Sequence, residues 1–378
     1  MWVVYYRLFD KMTSLPESIK ALQLQSNRTV KVVDIPFASQ DLVKNIPEDQ
    51  VIIRVRAVGL NPTDWKHALG EVGTPGTISG CDSAGDVVKV GSAVKHLKVG
   101  DRAAGFTFGG SHQTGNGSFS EYVRFVAAVC FKVPESMTYE EAASFPIPHL
   151  TAVQALYIRL NLPRPLHPGL KREWILIWGG STAVGHHAVQ LAALSGLRVL
   201  VTASSAVHDE LKALGAEACF DYKDADVVEK IRKAAGEEGI SYALDTVCEK
   251  GSTENVIDVF PPRGGRVITI LPISEEVQKR RKQVSTEFTL VYTEIGFALR
   301  LGHVLDIPAM PEDKAGTLDY VSNYILTVLE GWKAGQGSPK FKTQRLRRFE
   351  GGLERITEGL EIMRDGNYGR EKLVFTIA

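Results

Sequence analysis

Apolar positions along this chain follow two patterns. From residue 174 onward they form short continuous runs separated by amphipathic stretches. The run Trp174-Ile-Leu-Ile-Trp178 has no polar alternation, which predicts a strand covered on both faces. Gly179-Gly-Ser-Thr-Ala-Val-Gly185 then breaks the run, and Ala188, Leu191, Ala192 and Leu194 continue at helical spacing. The alternation persists, with strands expected over 198–202, 218–222, 242–247 and 266–270, and helices over 206–214 and 227–235. This is the pattern of a doubly wound α/β sheet. Before residue 150 the expected strands, 51–58, 85–90 and 122–126, are short and separated by Gly/Pro turns, as in an all-β barrel. An expected helix over 353–363 and strand over 372–376 most simply return to that barrel. The division predicted is therefore residues 1–151 with 336–378, and residues 152–335. No internal repeat or low-complexity linker interrupts either part.

Composition narrows the class. The 378 residues are 44% hydrophobic, enough for two cores. Lys+Arg 44 balances Asp+Glu 44, so the global field that would gather nucleic acid or an anionic membrane is missing. The basic run at residues 345–348 reads as a solvated turn. No apolar run reaches the roughly 18 residues of a spanning helix. A cytoplasmic protein is expected. Cys81, Cys130, Cys219 and Cys248 lack the close spacing of a disulfide framework or zinc knuckle. The apolar stretch Met1-Trp-Val-Val-Tyr-Tyr-Arg-Leu-Phe9 has no small-residue cleavage site behind it and reads as an extension before a start at Met12.

The glycine turn carries the clearest chemistry. Gly180, Ser181, Thr182, Ala183, Val184 and Gly185 would bring unpaired helix N–H groups against a pyrophosphate, although only the outer glycines of the usual G-x-G-x-x-G spacing are kept. An NAD site places an acidic residue about 20 positions beyond the first glycine. Here that region reads Thr202-Ala-Ser-Ser-Ala-Val-His208. Ser204 and Ser205 can donate to a 2′-phosphate, and His208 and Lys212 can add charge, so NADPH is the expected cofactor. The alternatives are a helix cap for Ser205 and a solvated face for Lys212. Val247 ends one predicted strand and Leu271 and Pro272 follow another, at the edge where such sheets bind ligands, so they are expected to line the nicotinamide cleft. His186 and His187 read as helix-surface or packing residues, since adjacent helical positions do not share a face.

Several separate motifs then occur in one order: Ala57-Val-Gly-Leu-Asn-Pro-Thr-Asp-Trp-Lys66, Gly80-Cys-Asp-Ser-Ala-Gly-Asp-Val-Val88, Val99-Gly-Asp-Arg102, Gly117-Ser-Phe-Ser-Glu-Tyr122, the glycine turn, and Gly359-Leu through Lys372-Leu-Val. In that order they resemble the medium-chain dehydrogenases/reductases over roughly residues 15 to 378. Asn61-Pro62-x-Asp64-x-Lys66, Gly179-Gly-Ser-Thr-Ala183 and Phe220-Asp-Tyr222 look most like the fungal trans-acting enoyl reductases that work beside polyketide synthases. The resemblance implies a GroES-like β-barrel catalytic domain beside a Rossmann domain. It also implies a cofactor contact at Asn61, Pro62, Thr63 and Asp64, and a tyrosine near the adenosine, Tyr222, for which core filling is the alternative. A further contact falls at Tyr368 and Gly369, where the family's Leu-Ser is absent. The substrate would be bounded by Ser144, Pro146, Ile147 and His149 and by Leu290, Tyr292 and Thr293. For His149, shaping its loop is the alternative.

In the zinc-dependent alcohol dehydrogenases of this superfamily, the metal ligands fall where this chain has Asn61, Cys81 and Ile147. One thiol cannot complete such a site, so no metal is expected. Without a Lewis acid, reduction of an activated C=C bond is the better candidate. The resemblance places Lys66 and Thr151 beside the nicotinamide. Thr151 would hold the carboxamide or the substrate carbonyl, and Lys66 would contribute charge or a proton. An Asp64–Lys66 ion pair, with water as proton source, is the alternative. The expected activity is NADPH-dependent reduction of an enoyl thioester or related unsaturated carbonyl, free or carrier-bound, with a polyketide synthase as partner. A quinone or alkenal reductase is the second reading, and a non-catalytic NADPH-binding regulator the third.

Overall fold

The computed structural model describes residues 15–70, 72–169, 172–302 and 305–377. Residues Met1–Phe9 and Met12, read above as an extension and a start, lie outside them. The chain forms two compact units, one of residues 1–146, 298–308 and 346–378 and the other of 147–297 and 309–345.

The first unit begins with an antiparallel hairpin, β1 (Ser18–Leu24) and β2 (Val30–Pro36). Five further strands follow: β3 (Gln50–Gly59), β4 (Asp82–Val90), β5 (Arg102–Phe106), β6 (Tyr122–Val126) and β7 (Cys130–Lys132). Val51, Ile53, Val55, Phe125 and Ala103 from these strands are buried together, and that shared apolar face holds the sheet.

The second unit contains β8 (Trp174–Trp178), β9 (Arg198–Thr202), β10 (Ala218–Phe220), β11 (Tyr242–Asp245), β12 (Gly265–Thr269) and β13 (Val284–Phe288). All pair in parallel, in the order β10-β9-β8-β11-β12-β13. All five residues of β8 are buried, as its unbroken apolar run predicts. The order reverses between β8 and β11, and the crevice at such a switch point is where open α/β sheets bind ligands.

Two expected strands end two residues early, for a local reason. The predicted 218–222 strand stops at Phe220. Asp221 there turns to accept the backbone N–H groups of Ser205 at 3.1 Å and Lys223 at 3.0 Å. The predicted 242–247 strand stops at Asp245, whose Oδ1 accepts from Val247 N and Cys248 N while its Oδ2 accepts from the Ser252 and Thr253 hydroxyls. The expected 206–214 helix begins as a tighter turn, Ser205–Val207, before His208–Ala213.

The chain returns to the first unit through β14 (Leu299–Leu301) and β15 (Leu305–Ile307), then β16 (Leu346–Phe349) and β17 (Lys372–Thr376). The hairpin β14–β15 carries no sequence signal marked above. The larger sheet runs β16-β17-β3-β4-β5-β7, with β6 on β3. β17 is antiparallel to β3, with Val374 opposite Gly59 and Thr376 opposite Ala57. The last strand is thereby laid beside the chain that leads into Asn61.

Candidate active site

In the second unit the turn after β8 is held by the end of β9. Gly179 N and Gly180 N both donate to Thr202 O, and Gly179 N also to Thr202 Oγ1. The helix Ala183–Leu194 starts there, capped by Thr182, whose Oγ1 accepts from Gly185 N at 3.0 Å. Thr182 Oγ1 donates to Thr246 Oγ1 at 2.9 Å, and Thr246 donates to Trp178 O and Gly179 O. The ends of β8 and β11 are thus tied at the switch point, with Val247 next in chain. Ser181, Thr182, Ala183 and Val184 are half-buried, and the first turn of a helix leaves backbone donors unsatisfied. Leu271 and Pro272 follow β12, half-buried and exposed respectively.

At the end of β9, Ser204 is half-buried and Ser205 exposed. His208 Nε2 lies 3.1 Å from Ala203 O, so its ring braces the turn. Lys212 Nζ is 3.9 Å from Asp209 on an exposed face. Tyr222 is exposed rather than core-filling, with Lys223 Nζ 5.8 Å from its ring centre. Asp221 is an acidic group that the spacing argument misses, because β10 and not β9 brings it beside Ser205. Its two backbone donors hold it below the usual carboxylate range, the Lys223 N–H contributing most.

Thr151 lies on the helix Pro146–Val153, buried, and its hydroxyl donates to Ile147 O at 2.7 Å. That hydroxyl proton is committed, and its lone pairs remain as acceptors. His149 is fully buried, with Nδ1 3.0 Å from His187 Nδ1 and Nε2 2.8 Å from the Tyr320 hydroxyl. Burial pushes the His149 imidazole down to about 3, so it stays neutral. His186 and His187 are both buried, which decides for packing over helix surface. Thr293 Oγ1 donates to Asp313 and accepts from Gln154 at 2.8 Å, while Arg159 forks onto the Asp313 carboxylate at 2.5 Å on each arm. Tyr292 is buried beside it and Leu290 half-buried.

In the first unit, Asn61 precedes the helix Pro62–Ala68 in extended conformation, with Pro62 supplying a preset φ. Asp64 reaches back, its Oδ2 accepting from Asn61 N at 2.7 Å. Asn61 Nδ2 donates to Asp82 Oδ2 at 2.8 Å, and Lys372 Nζ donates to Asn61 Oδ1 at 2.6 Å and to Asp82 Oδ2 at 3.2 Å. Asn61, Asp64, Asp82 and Lys372 are all buried. Thr63 Oγ1 lies 3.0 Å from His67 Nδ1. Lys66 is exposed, its Nζ 5.9 Å from the Trp65 ring centre. Among the described residues no ion pair joins it to Asp64, whose carboxylate faces the buried side. Ser144 donates to Glu141 O at 2.6 Å, Pro146 is buried and Ile147 half-buried. Tyr368 packs on the barrel core and Gly369, at φ 61, completes the turn before β17.

A zinc ion does not fit these donors. The Asn61 oxygen is already bonded to an ammonium, and Cys81 is a single thiol beside the Asp64 carboxylate. Among the described residues no three or more His, Cys, Asp or Glu side chains are arranged to hold a metal. Lys372 and Asp82 escape sequence reasoning because their pairing spans most of the chain. The only signal is a lysine opening an otherwise apolar strand.

Burial, offset in part by the Asn61 N–H, pushes the Asp64 carboxyl up to about 7. Between about pH 4 and 7 the folded protein therefore holds a proton that the unfolded chain has released. Stability is fully present at the acidic end of that window and falls as pH rises through it, by up to about 1.4 kcal/mol per pH unit. Asp64→Asn, which keeps an acceptor for Asn61 N, should flatten this slope in urea melts across the window. An unchanged slope would assign the proton elsewhere.

Two family models match the chain: the alcohol dehydrogenase GroES-like domain over residues 47–135, and the zinc-binding dehydrogenase over residues 183–295. The trans-enoyl reductase ACTTS2 of Alternaria alternata is 35% identical over 365 residues, covering 95% of this chain and 98% of that protein. The trans-enoyl reductase fsa3 of a Fusarium species is 32% identical, covering 91% and 96%. Among solved structures, the CurK enoyl reductase superimposes with a TM-score of 0.70 at 22% identity, over 96% of this chain and all of that one. A putative zinc-dependent alcohol dehydrogenase of Rhizobium etli does so at 0.73 and 23%, over 96% and 99%. Among the described residues no helix is long and apolar enough to cross a membrane. With a GroES-like barrel, a parallel Rossmann sheet and near full-length likeness to fungal trans-enoyl reductases, this chain is an oxidoreductase that belongs to the medium-chain dehydrogenase/reductase superfamily, in that subgroup.

Proposed function

We propose that the protein reduces the C=C bond of an enoyl thioester carried by a synthase, using NADPH. The observation that carries this reading is the Lys372–Asn61–Asp82 triangle. At the positions where alcohol dehydrogenases present zinc ligands stand an amide, a single thiol and an isoleucine, and the amide oxygen is taken by the buried Lys372 ammonium, a donor set unsuited to polarising an alkoxide. Conjugation polarises an enoyl group without a metal. The names of the full-length relatives point the same way.

NADPH, when bound, supplies the hydride that reaches the β carbon. The protein's part is binding, orientation and charge. Gly180 and Gly185 let the backbone of the 180–185 turn meet the pyrophosphate at the helix start. Ser204 and Ser205 hydroxyls donate to the 2′-phosphate, with Tyr222 beside the adenine end. Thr151, its proton given to Ile147 O, accepts from the carboxamide N–H and so orients the ring. The Lys66 ammonium offsets the negative charge that grows on the thioester oxygen, and water protonates the α carbon. His149 and Thr293, fixed inside buried networks, shape the walls and do not titrate with the reaction.

The test is NADPH oxidation against carrier-bound crotonyl thioester, free crotonyl thioester and a quinone. The expected result is a carrier-bound thioester kcat/KM at least about tenfold above that of the quinone, with NADPH bound at least about tenfold tighter than NADH, or roughly 1.4 kcal/mol. Turnover of the quinone alone would make the protein a quinone reductase. Equal affinity for the two cofactors would remove the 2′-phosphate role of Ser204 and Ser205.

A further inference from the structure

Lys372 opens β17 and is 4% exposed, yet its side chain ends in a full charge. A buried ammonium costs far more than an apolar residue of equal size unless it is paired and hydrogen-bonded, and even a satisfied buried pair seldom stabilises more than a packed hydrocarbon would. The retained charge therefore asks for a role other than stability. Its contacts supply one. Lys372 donates to the oxygen of the Asn61 amide while the nitrogen of the same amide donates to Asp82. The third side closes from Lys372 to Asp82. An amide held at both ends by opposite charges has one orientation, because a flip would set its NH₂ against an ammonium and its oxygen against a carboxylate. Asn61 is also the residue from which the helix carrying Lys66 starts, and its N–H holds Asp64. Space for the lysine stem comes from Gly59, where a Cβ would sit 3.1 Å from Lys372 Cε and 2.2 Å from Ala143 O.

We propose that Lys372 is a positioning residue for the reaction: by closing the triangle with Asn61 and Asp82, its buried ammonium holds the Asn61–Asp64 turn, and the helix carrying Lys66, in the orientation that hydride transfer requires. The inference rests on the functional reading above, which sets the Lys66 ammonium at the thioester oxygen. It predicts a loss in the chemical step with little loss in binding, since misplacement of a reacting group acts on the transition state more than on affinity.

Two variants test it. Lys372→Met with Asp82→Asn removes both charges at constant volume, so neither is left buried alone. Asn61→Ala removes the amide but leaves the Lys372–Asp82 pair and the Asp64 contact to the backbone N–H in place. Both should bind NADPH within about threefold of the parent while single-turnover hydride transfer to saturating crotonyl thioester falls at least about tenfold. A folded variant of either kind that transfers hydride within about threefold of the parent overturns the proposal. Should the parent itself reduce no enoyl thioester, the functional reading fails first, and the positioning role is then read by amide hydrogen exchange. Exchange at Asn61 and Asp64 should quicken at least about tenfold in Asn61→Ala, about 1.4 kcal/mol of local opening. Unchanged exchange overturns the proposal without any appeal to activity.

Discussion

Lys66→Met is expected to lower the hydride-transfer rate by about 10² to 10³, with NADPH affinity nearly unchanged. The magnitude is that of one electrostatic donor lost from a developing oxyanion. The structure makes the variant a clean one. Lys66 is exposed, sits over Trp65 and has no ion pair with Asp64 among the described residues, so its removal should cost about 0.5 kcal/mol of stability or less. A fall in rate then cannot come from unfolding. Stopped-flow measurement with saturating enoyl thioester decides the matter: a rate within about threefold of the parent would remove Lys66 from the chemistry. Thr151→Val, which deletes the hydroxyl that bonds Ile147 O, should instead raise apparent KM for the cofactor.

Gly185→Ala should weaken NADPH binding by about 100-fold, or roughly 2.7 kcal/mol. On an ordinary helix that exchange would be favourable by about 1 kcal/mol. Here the added Cβ would stand 2.2 Å from Gly179 O and 2.9 Å from Gly180 Cα. Both are backbone atoms of the turn meant to meet the pyrophosphate, so the helix must back away from the strand end. At Gly180 a Cβ would meet Val201 Cγ1 at 2.2 Å, a side-chain atom. Gly180→Ala should therefore be rescued in part by Val201→Ala, whereas no side-chain trimming can rescue Gly185→Ala. Fluorescence titration of both variants checks the pair. Unchanged affinity in Gly185→Ala would mean that this turn does not hold the dinucleotide.

The elements most legible in the sequence are those whose own residues carry a clear apolar run or amphipathic period. β8, β9, β6 and β17 and the helix over residues 227–235 have the bounds that their apolar patterns predict. β8 lies in the middle of a covered sheet, so every side chain meets the same apolar surroundings and the run needs no tertiary information to be read. Strand ends were less legible. Asp221 and Asp245 end their strands by turning carboxylates onto backbone N–H groups, and one of those donors, Ser205 N, lies 16 residues away. The hairpin β14–β15 has no sequence signature, because three-residue strands give too little periodicity to stand out.

By itself the sequence determined the two fold classes, the glycine turn and its helix, and the motif order that places the chain in its superfamily, because each depends on backbone conformations and burial patterns written over a few consecutive residues. The tertiary structure alone decided which groups share a charge environment. Asn61 reads as a cofactor contact in sequence, yet in the fold its amide is engaged at both ends, by residues 21 and 311 positions away. Asp64 reads in sequence as a cofactor contact, with an ion pair to Lys66 as the alternative, yet the helix turns it inward, where burial raises its carboxyl to about 7. Desolvation and Coulomb energy depend on distance in space and on the exclusion of water, and neither can be read from the spacing of residues along the chain.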